Sequence, residues 1–265
     1  MSDGTETPEE LIRAAVDAGL GVVAITDHDS TAGWDSAIAA AKGTGLTVVP
    51  GVELSTQLEY ASVHILGYYV DPEDAALVDA MEEIRSERLG RAESMVARIA
   101  KDYPITWEDV VAQTADGATV GRPHIADALV AKGIVPDRSA AFATILHWRG
   151  GYYRPHRAPL PVVGVELITN AGGVAVIAHP GARGPSSLFD EQRVRELVHA
   201  GLAGLELHHR DNRPDRLPFW QDMARQFDLI VTGSSDYHGA GKPNRLAEHT
   251  TDVVQFSRIL ERAGR

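Results

Sequence analysis

Short apolar runs, each parted from the next by a stretch of helical periodicity, narrow most what this chain can fold into. Residues 22–26 form one such run, followed by a helical pattern over about 34–42 and a second run at 47–49 that continues towards Leu54. Residues 63–70 read as a further strand, and the alternation resumes with runs at 174–178, 204–207 and 229–232. Helical patterns at 162–170, 190–200, 214–227 and 253–263 lie between and after them. Continuous apolar runs belong to strands covered on both faces, so these repeated βα units imply a parallel sheet, either a barrel or an open doubly wound one. The first helix start is legible at Thr7-Pro8-Glu9-Glu10. Thr7 can cap, Pro8 suits the first turn and Glu10 stands three residues after the cap. Gly19 ends that helix.

The middle of the chain follows a different rule. From Asp74 to Arg149 the periodicity is helical, with one long helix marked by Met81, Ile84, Leu89, Val96 and Ile99. Shorter helices are expected over 106–112, 124–131 and 139–146, and the turn-rich stretch 149–155 closes the region. The organisation predicted is therefore an α/β domain built from residues 1–75 and 150–265, with a helical insertion at 76–149.

Composition excludes several classes of function. The chain has 265 residues, 44% of them hydrophobic, enough for a substantial core. Its formal charge of -12 disfavours a general basic face for long duplex nucleic acid. A small phosphorylated substrate remains compatible, because bound metal ions reverse the field locally. Without a single cysteine, neither disulfides nor thiolate metal sites are available. Any metal must then be held by His and carboxylate, which suits Mn, Fe or Zn. The acidic, polar start reads unlike a signal peptide and no apolar run approaches a membrane span, so a cytoplasmic protein with no membrane partner is expected. Oligomeric state is not legible.

Polar residues gather just after the strands, where sites form in parallel sheets. Asp27-His28-Asp29, Gly51-Val52-Glu53, His179-Pro180-Gly181, His208-His209 and Asp236-Tyr237-His238 all follow apolar runs, and His64 stands at the start of another. Singly, each is most simply a hydrogen-bonded structural residue or, for Asp236, a turn residue. Together they converge on one rim, and carboxylates beside neutral imidazoles are costly there unless paired or bound to metal. A divalent cation accounts for all of them at once.

Those motifs, in order, resemble a known family. Ser2-Asp3-Gly4-Thr5, Thr26-Asp27-His28, Gly51-Val52-Glu53, His64-Ile65-Leu66-Gly67-Tyr68, Ala178-His179-Pro180 and Ser235-Asp236-Tyr237-His238 are similar to the motifs of the PHP (polymerase and histidinol phosphatase) superfamily. Gly121-Arg122-Pro123-His124-Ile125-Ala126 resembles the segment that opens the helical insertion of its bacterial nucleoside bisphosphate phosphatases and 5′-to-3′ exoribonucleases. The resemblance implies a distorted (β/α)7 barrel holding up to three divalent metals. It implies Asp3, His28, Glu53, His64, His179, Asp236 and His238 as ligands, with Glu53 bridging two ions and Asp3, His28, Glu53 and Asp236 serving catalysis. It further implies Arg122 as a phosphate clamp, with His124 and His209 facing the substrate and His208 pointing away. The implied reaction is hydrolysis of a phosphomonoester: the 3′-phosphate of a 3′,5′-bisphosphonucleotide, or short 5′-phosphorylated oligoribonucleotides from their 5′ end.

One departure stands against this. Family members begin with a strand ending in His-x-His shortly before Ser-Asp-Gly, whereas here Met1 immediately precedes Ser2. The first strand and its two histidines are absent. The reading favoured is a start placed downstream of the native one, since the rest of the ligand set is intact. The alternatives are a catalytically impaired protein that binds metal or nucleotide, and a histidinol-phosphate phosphatase, against which the Gly121-Arg122-Pro123-His124 segment argues. A proofreading exonuclease joined to a DNA polymerase is disfavoured, because no polymerase-sized region follows the barrel.

Overall fold

In a computed structural model of the chain, residues 4–114, 120–154 and 157–265 are described. The order is α1 (Pro8–Asp17), β1 (Val22–Ile25), α2 (Trp34–Ala41), β2 (Thr47–Leu58), β3 (Ala61–Tyr68), α3 (Ala75–Ile99), α4 (Trp107–Val111), α5 (Arg122–Ala131), α6 (Arg138–Ala143) and α7 (Pro161–Asn170). Then follow β4 (Val174–Ile177), a 3₁₀ turn (Ser186–Leu188), α8 (Glu191–His199), β5 (Leu202–His208), α9 (Leu217–Gln226), β6 (Ile230–Gly233) and α10 (Val253–Arg262). The expected capping box at Thr7 and Glu10 forms, each side chain bonding the other's backbone amide.

The strands form one curled, half-barrel sheet in the order β1-β2-β3-β4-β5-β6. β1–β2, β4–β5 and β5–β6 run parallel, as repeated βα units predict. The centre differs. β2 and β3 form an antiparallel hairpin and β3 is antiparallel to β4. An apolar run carries no mark of strand direction, and the tight turn at Glu59 and Tyr60, with Glu59 at φ 55°, lacks the Asn-Gly or Asp-Gly signature of such hairpins. The hairpin places β2 between β1 and β3, so it is paired along both sides.

Helices α1, α2, α7, α8 and α9 pack their apolar faces on this sheet around Ile12, Leu54, Ile65, Ile168 and Leu205. A second core lies within the insertion, around Met95, Ile99, Ile125, Leu129 and Leu146. α3 serves both: Leu77, Met81 and Ile84 belong to the sheet's core, and Ala92, Met95, Val96 and Ile99 to the insertion's. A cavity of about 550 Å³ is lined by β1, the end of β6, Tyr68, Phe256 and Ile259, together with His28, Glu53, Glu206 and Asp236. Among the described residues, no helix is long and apolar enough to cross a membrane.

Candidate metal centre

Backbone pairing sets the first half of the site. β1 runs on past Ile25, and Glu53 donates its amide to the Asp27 carbonyl at 3.1 Å while Asp29 donates to the Glu53 carbonyl at 3.1 Å. This fixes His28 opposite Glu53. Across the hairpin Ser55 pairs with His64 and Glu53 with Leu66, so Glu53 and His64 project from the same face. His179 follows β4, and its ring completes the group.

Glu53 is 6% exposed and lies among three imidazoles. Its Oε1 is 2.5 Å from His64 Nδ1 and 3.4 Å from His179 Nε2, while Oε2 is 3.7 Å from His28 Nδ1. Ring centroids step from His28 to His64 at 4.7 Å, to His179 at 5.5 Å and to His209 at 5.1 Å. Burial alone would raise the Glu53 carboxyl. The charges of His28 and His64, with hydrogen bonds from His179 and His64, instead hold it well below the ordinary carboxylate range. Burial, then the Arg183 charge, holds His64 well below the usual imidazole range. Burial, then His179, pushes His209 down to about 4. The His209 ring is therefore neutral near pH 7, the form that ligates metal.

The second half lies on loops. His209, 5% exposed, has Nε2 3.9 Å from Asp236 Oδ2, and His208 is exposed, as strand alternation requires. Asp236 Oδ1 is 3.4 Å from His238 Nδ1, and Oδ2 accepts a hydrogen bond from Lys242 Nζ at 2.6 Å. Among the described residues two groups bring ligand atoms within 4.8 Å of one another: His28, Glu53 and His64, and His209, Asp211 and Asp236. Asp3 lies outside the described residues.

Two observations fit this donor set to divalent metal. His28 Nδ1 and His209 Nε2 are buried without a hydrogen-bond partner among the described residues. Such atoms are costly to leave unpaired, and a cation satisfies them. Asp29 at φ 52°, His179 at φ 29° and Asp236 at φ 48° also hold non-glycine residues in the left-handed region. Strain of that kind persists where surrounding structure over-determines it, and here it marks three separate strand ends of one site.

Beside the centre lies a group of arginines that the sequence reading passed over, apart from Arg122. Arg85, Arg88 and Arg91 recur every third residue along one side of α3. Arg85 Nη1 donates to the Asp29 carbonyl at 2.5 Å, and Arg88 pairs with the fully buried Asp29 carboxylate at 3.2 Å and bonds Ser55 Oγ. Arg122, at the start of α5, lies 5.3 Å from the Phe142 ring centroid and 5.4 Å from that of Tyr153. Arg183 Nη1 is 3.2 Å from His64 Nε2. Burial pulls Arg91 down to about 10, with the Arg122 and Arg88 charges adding to it. Arg122 is likewise depressed, by burial first and also by Arg183 and Arg88, against the opposing pull of Tyr153. Four guanidinium groups thus feel one another, a costly arrangement that an anion would relieve. His124 is buried and its Nδ1 accepts the Gly121 amide at 3.1 Å, closing the start of α5.

Glu206 also escaped the sequence reading. It is 2% exposed on β5, accepts the His179 amide at 3.0 Å, and is pushed up to about 7 chiefly by burial. Its one signal was a lone carboxylate inside an apolar run.

The model of the PHP domain matches residues 1–114. A 3′,5′-nucleoside bisphosphate phosphatase of Chromobacterium violaceum is 32% identical over 98% of this chain and 92% of its own length. The 5′-3′ exoribonuclease Rnm of Salmonella typhimurium is 32% identical over 89% of this chain and 82% of its own length. A solved structure from Bifidobacterium adolescentis, described as a metal-dependent phosphoesterase, superposes with a TM-score of 0.95 at 42% identity, covering 100% of this chain and 95% of that one.

Proposed function

The chain belongs to the PHP domain family and is a metal-dependent phosphoesterase, and we propose that its substrate carries two phosphoryl groups, one presented to the metal cluster and one held by the adjacent arginines. A 3′,5′-bisphosphonucleotide that loses its 3′-phosphate meets that description. The observation that carries this reading is the arginine group abutting the centre through the contact of Arg183 with His64. A single phosphoryl group on the metals would leave Arg91 and Arg122 crowded at like charge. The names of the Chromobacterium and Salmonella relatives support it as well. A short 5′-phosphorylated oligoribonucleotide is the second reading, with its 5′-phosphate on the arginines and the next phosphodiester on the metals.

His28, Glu53, His64, His179, Asp236 and His238 would hold the ions, with Asp3 joining them from outside the described residues. Bound divalent ions, whether Mn, Fe or Zn, supply a water of lowered pKa and polarise the phosphoryl oxygens. The chain's own residues do the positioning. Glu53 fixes the His64 ring by accepting from its Nδ1 and lies 3.4 Å from His179 Nε2. Arg122 and Arg183 present planar forks suited to a phosphate, and His209 lines the side towards Asp236. The protein should act on small phosphorylated nucleotides in the cytoplasm rather than on long duplex.

Phosphate release from adenosine 3′,5′-bisphosphate, adenosine 3′-monophosphate and histidinol phosphate, in the presence of Mn²⁺, tests this. The bisphosphate should exceed the monophosphate in kcat/KM on the order of a hundredfold, as for loss of two charge-assisted hydrogen bonds. Equal turnover of the two adenosine esters would refute the two-phosphoryl reading, and preference for histidinol phosphate would replace it.

A further inference from the structure

One side chain joins the insertion to the loop that carries the second half of the metal centre. α5 opens with Arg122 and carries Asp127 on the same helix. Arg138, the first residue of α6, reaches both Asp127 oxygens with Nε and Nη2, at 2.5 Å each. Its remaining arm, Nη1, donates to the Gly241 carbonyl at 3.1 Å, across 103 residues of sequence. Gly241 belongs to the loop of Asp236 and His238 and donates its own amide to the His238 carbonyl at 3.1 Å. The next residue, Lys242, bonds Asp236, and Asn244 Nδ2 donates to the Ser235 and Asp236 carbonyls at 2.7 and 3.2 Å. The junction is close-packed: a Cβ at Gly241 would fall well inside contact distance of Arg138 Nη1 and displace it.

We propose that Arg138 is a positioning residue that locks the loop of Asp236 and His238 to the helix bearing Arg122, so that the second half of the metal centre and the arginine side of the substrate site are set by one guanidinium. This rests on the reading of Asp236 and His238 as metal ligands. A planar fork suits the task because two arms grip the bidentate carboxylate while the third is aimed at a backbone carbonyl. Lysine has no equivalent geometry. The connection is also reciprocal: whatever orders the loop orders the insertion by the same free energy.

The test is Mn²⁺ binding to the full chain, followed by calorimetry, with the wild type, Arg138→Gln, Gly241→Ala and the double variant. Gly241→Ala keeps both Arg138 and Asp127 and acts from the loop's side, its Cβ displacing Arg138 Nη1 from the Gly241 carbonyl, so it decides the matter if Arg138→Gln does not fold. Each single variant should weaken the loosest-bound Mn²⁺ on the order of tenfold, the size seen when an outer partner of a metal ligand is lost. The double variant should weaken it no further, because both changes break one connection. In turnover, kcat should fall with the metal affinity at subsaturating Mn²⁺ and recover at saturating Mn²⁺. Wild-type affinity in both single variants overturns the coupling, and so do additive losses in the double variant. A wild-type chain that takes up no Mn²⁺ overturns the metal reading itself, and the coupling with it.

Discussion

The two halves of the metal centre are built on different principles. Around Glu53, Glu53 and His64 stand on β2 and β3 and His179 follows β4, strands paired on both sides. Although His28 follows the edge strand β1, backbone register with β2 sets it opposite Glu53. Around Asp236, the supporting strand is β6, which among the described residues pairs with β5 alone and borders the cavity shared with β1. Here side chains from distant places take over the work of register. Tyr237 donates to Glu6 at 2.7 Å, Thr5 and His238 bond through 3.2 Å and 3.3 Å contacts, and Asn244, Lys242 and Arg138 hold the rest of the loop. The Glu53 half is consequently pre-set by the fold. The Asp236 half depends on several bonds, any of which can be lost singly.

The largest effect should come from the half that has no substitute support. Glu53→Gln removes the carboxylate at the meeting point of three imidazoles, while its shape and burial stay the same. Metal-dependent phosphate release should fall by more than the roughly 10- to 100-fold that loss of an outer partner costs. Asp236→Asn should cost less than Glu53→Gln, and excess Mn²⁺ should recover part of it. If Asp236→Asn proves the more damaging, the ranking of the two halves is reversed and strand support is not what decides. A chelator gives the next effect in size. Metal at a hundredfold excess over its dissociation constant stabilises a fold by about 2.7 kcal/mol, so thermal unfolding should shift down on chelation. That shift should vanish in Glu53→Gln and persist, reduced, in Asp236→Asn. An undiminished shift in Glu53→Gln would place the stabilising ion elsewhere.

The same contrast explains what could be read in advance. Element order was legible because each strand is a buried apolar run and each helix an amphipathic one, and the strand-end motifs followed from that order. The hairpin direction was not, since Glu59-Tyr60 gives no turn signal and pairing is decided by tertiary packing. The α3 arginines belong to no motif, and only the fold turns Arg88 onto Asp29 and Ser55. Arg138 was silent for a related reason: its partner carbonyl at Gly241 belongs to no motif, and backbone acceptors leave no trace in sequence. Register-built features are periodic and can be read. Loop-to-loop bonds have no period.

The smallest effect concerns Glu206, which lies against the pre-set half through the His179 amide. Its carboxyl is raised from 4.5 to about 7, chiefly by burial, so the folded chain holds its proton more tightly than the unfolded one. The stability this proton brings is complete below pH 4.5 and is lost as pH rises towards and through about 7. His209, depressed from 6.5 to about 4, works in the opposite sense over much of the same range, adding stability as pH rises from about 4 to 6.5. A wild-type stability profile alone would therefore show little slope. The difference between wild type and Glu206→Gln isolates the carboxyl, because glutamine keeps the shape and can still accept the His179 amide. Measured by thermal unfolding in the presence of chelator, the variant should match the wild type near pH 4.5 and unfold at a higher temperature by pH 8. A constant difference across that range would mean that Glu206 stays ionised in the fold, and that the His179 side of the centre is more polar than its burial indicates.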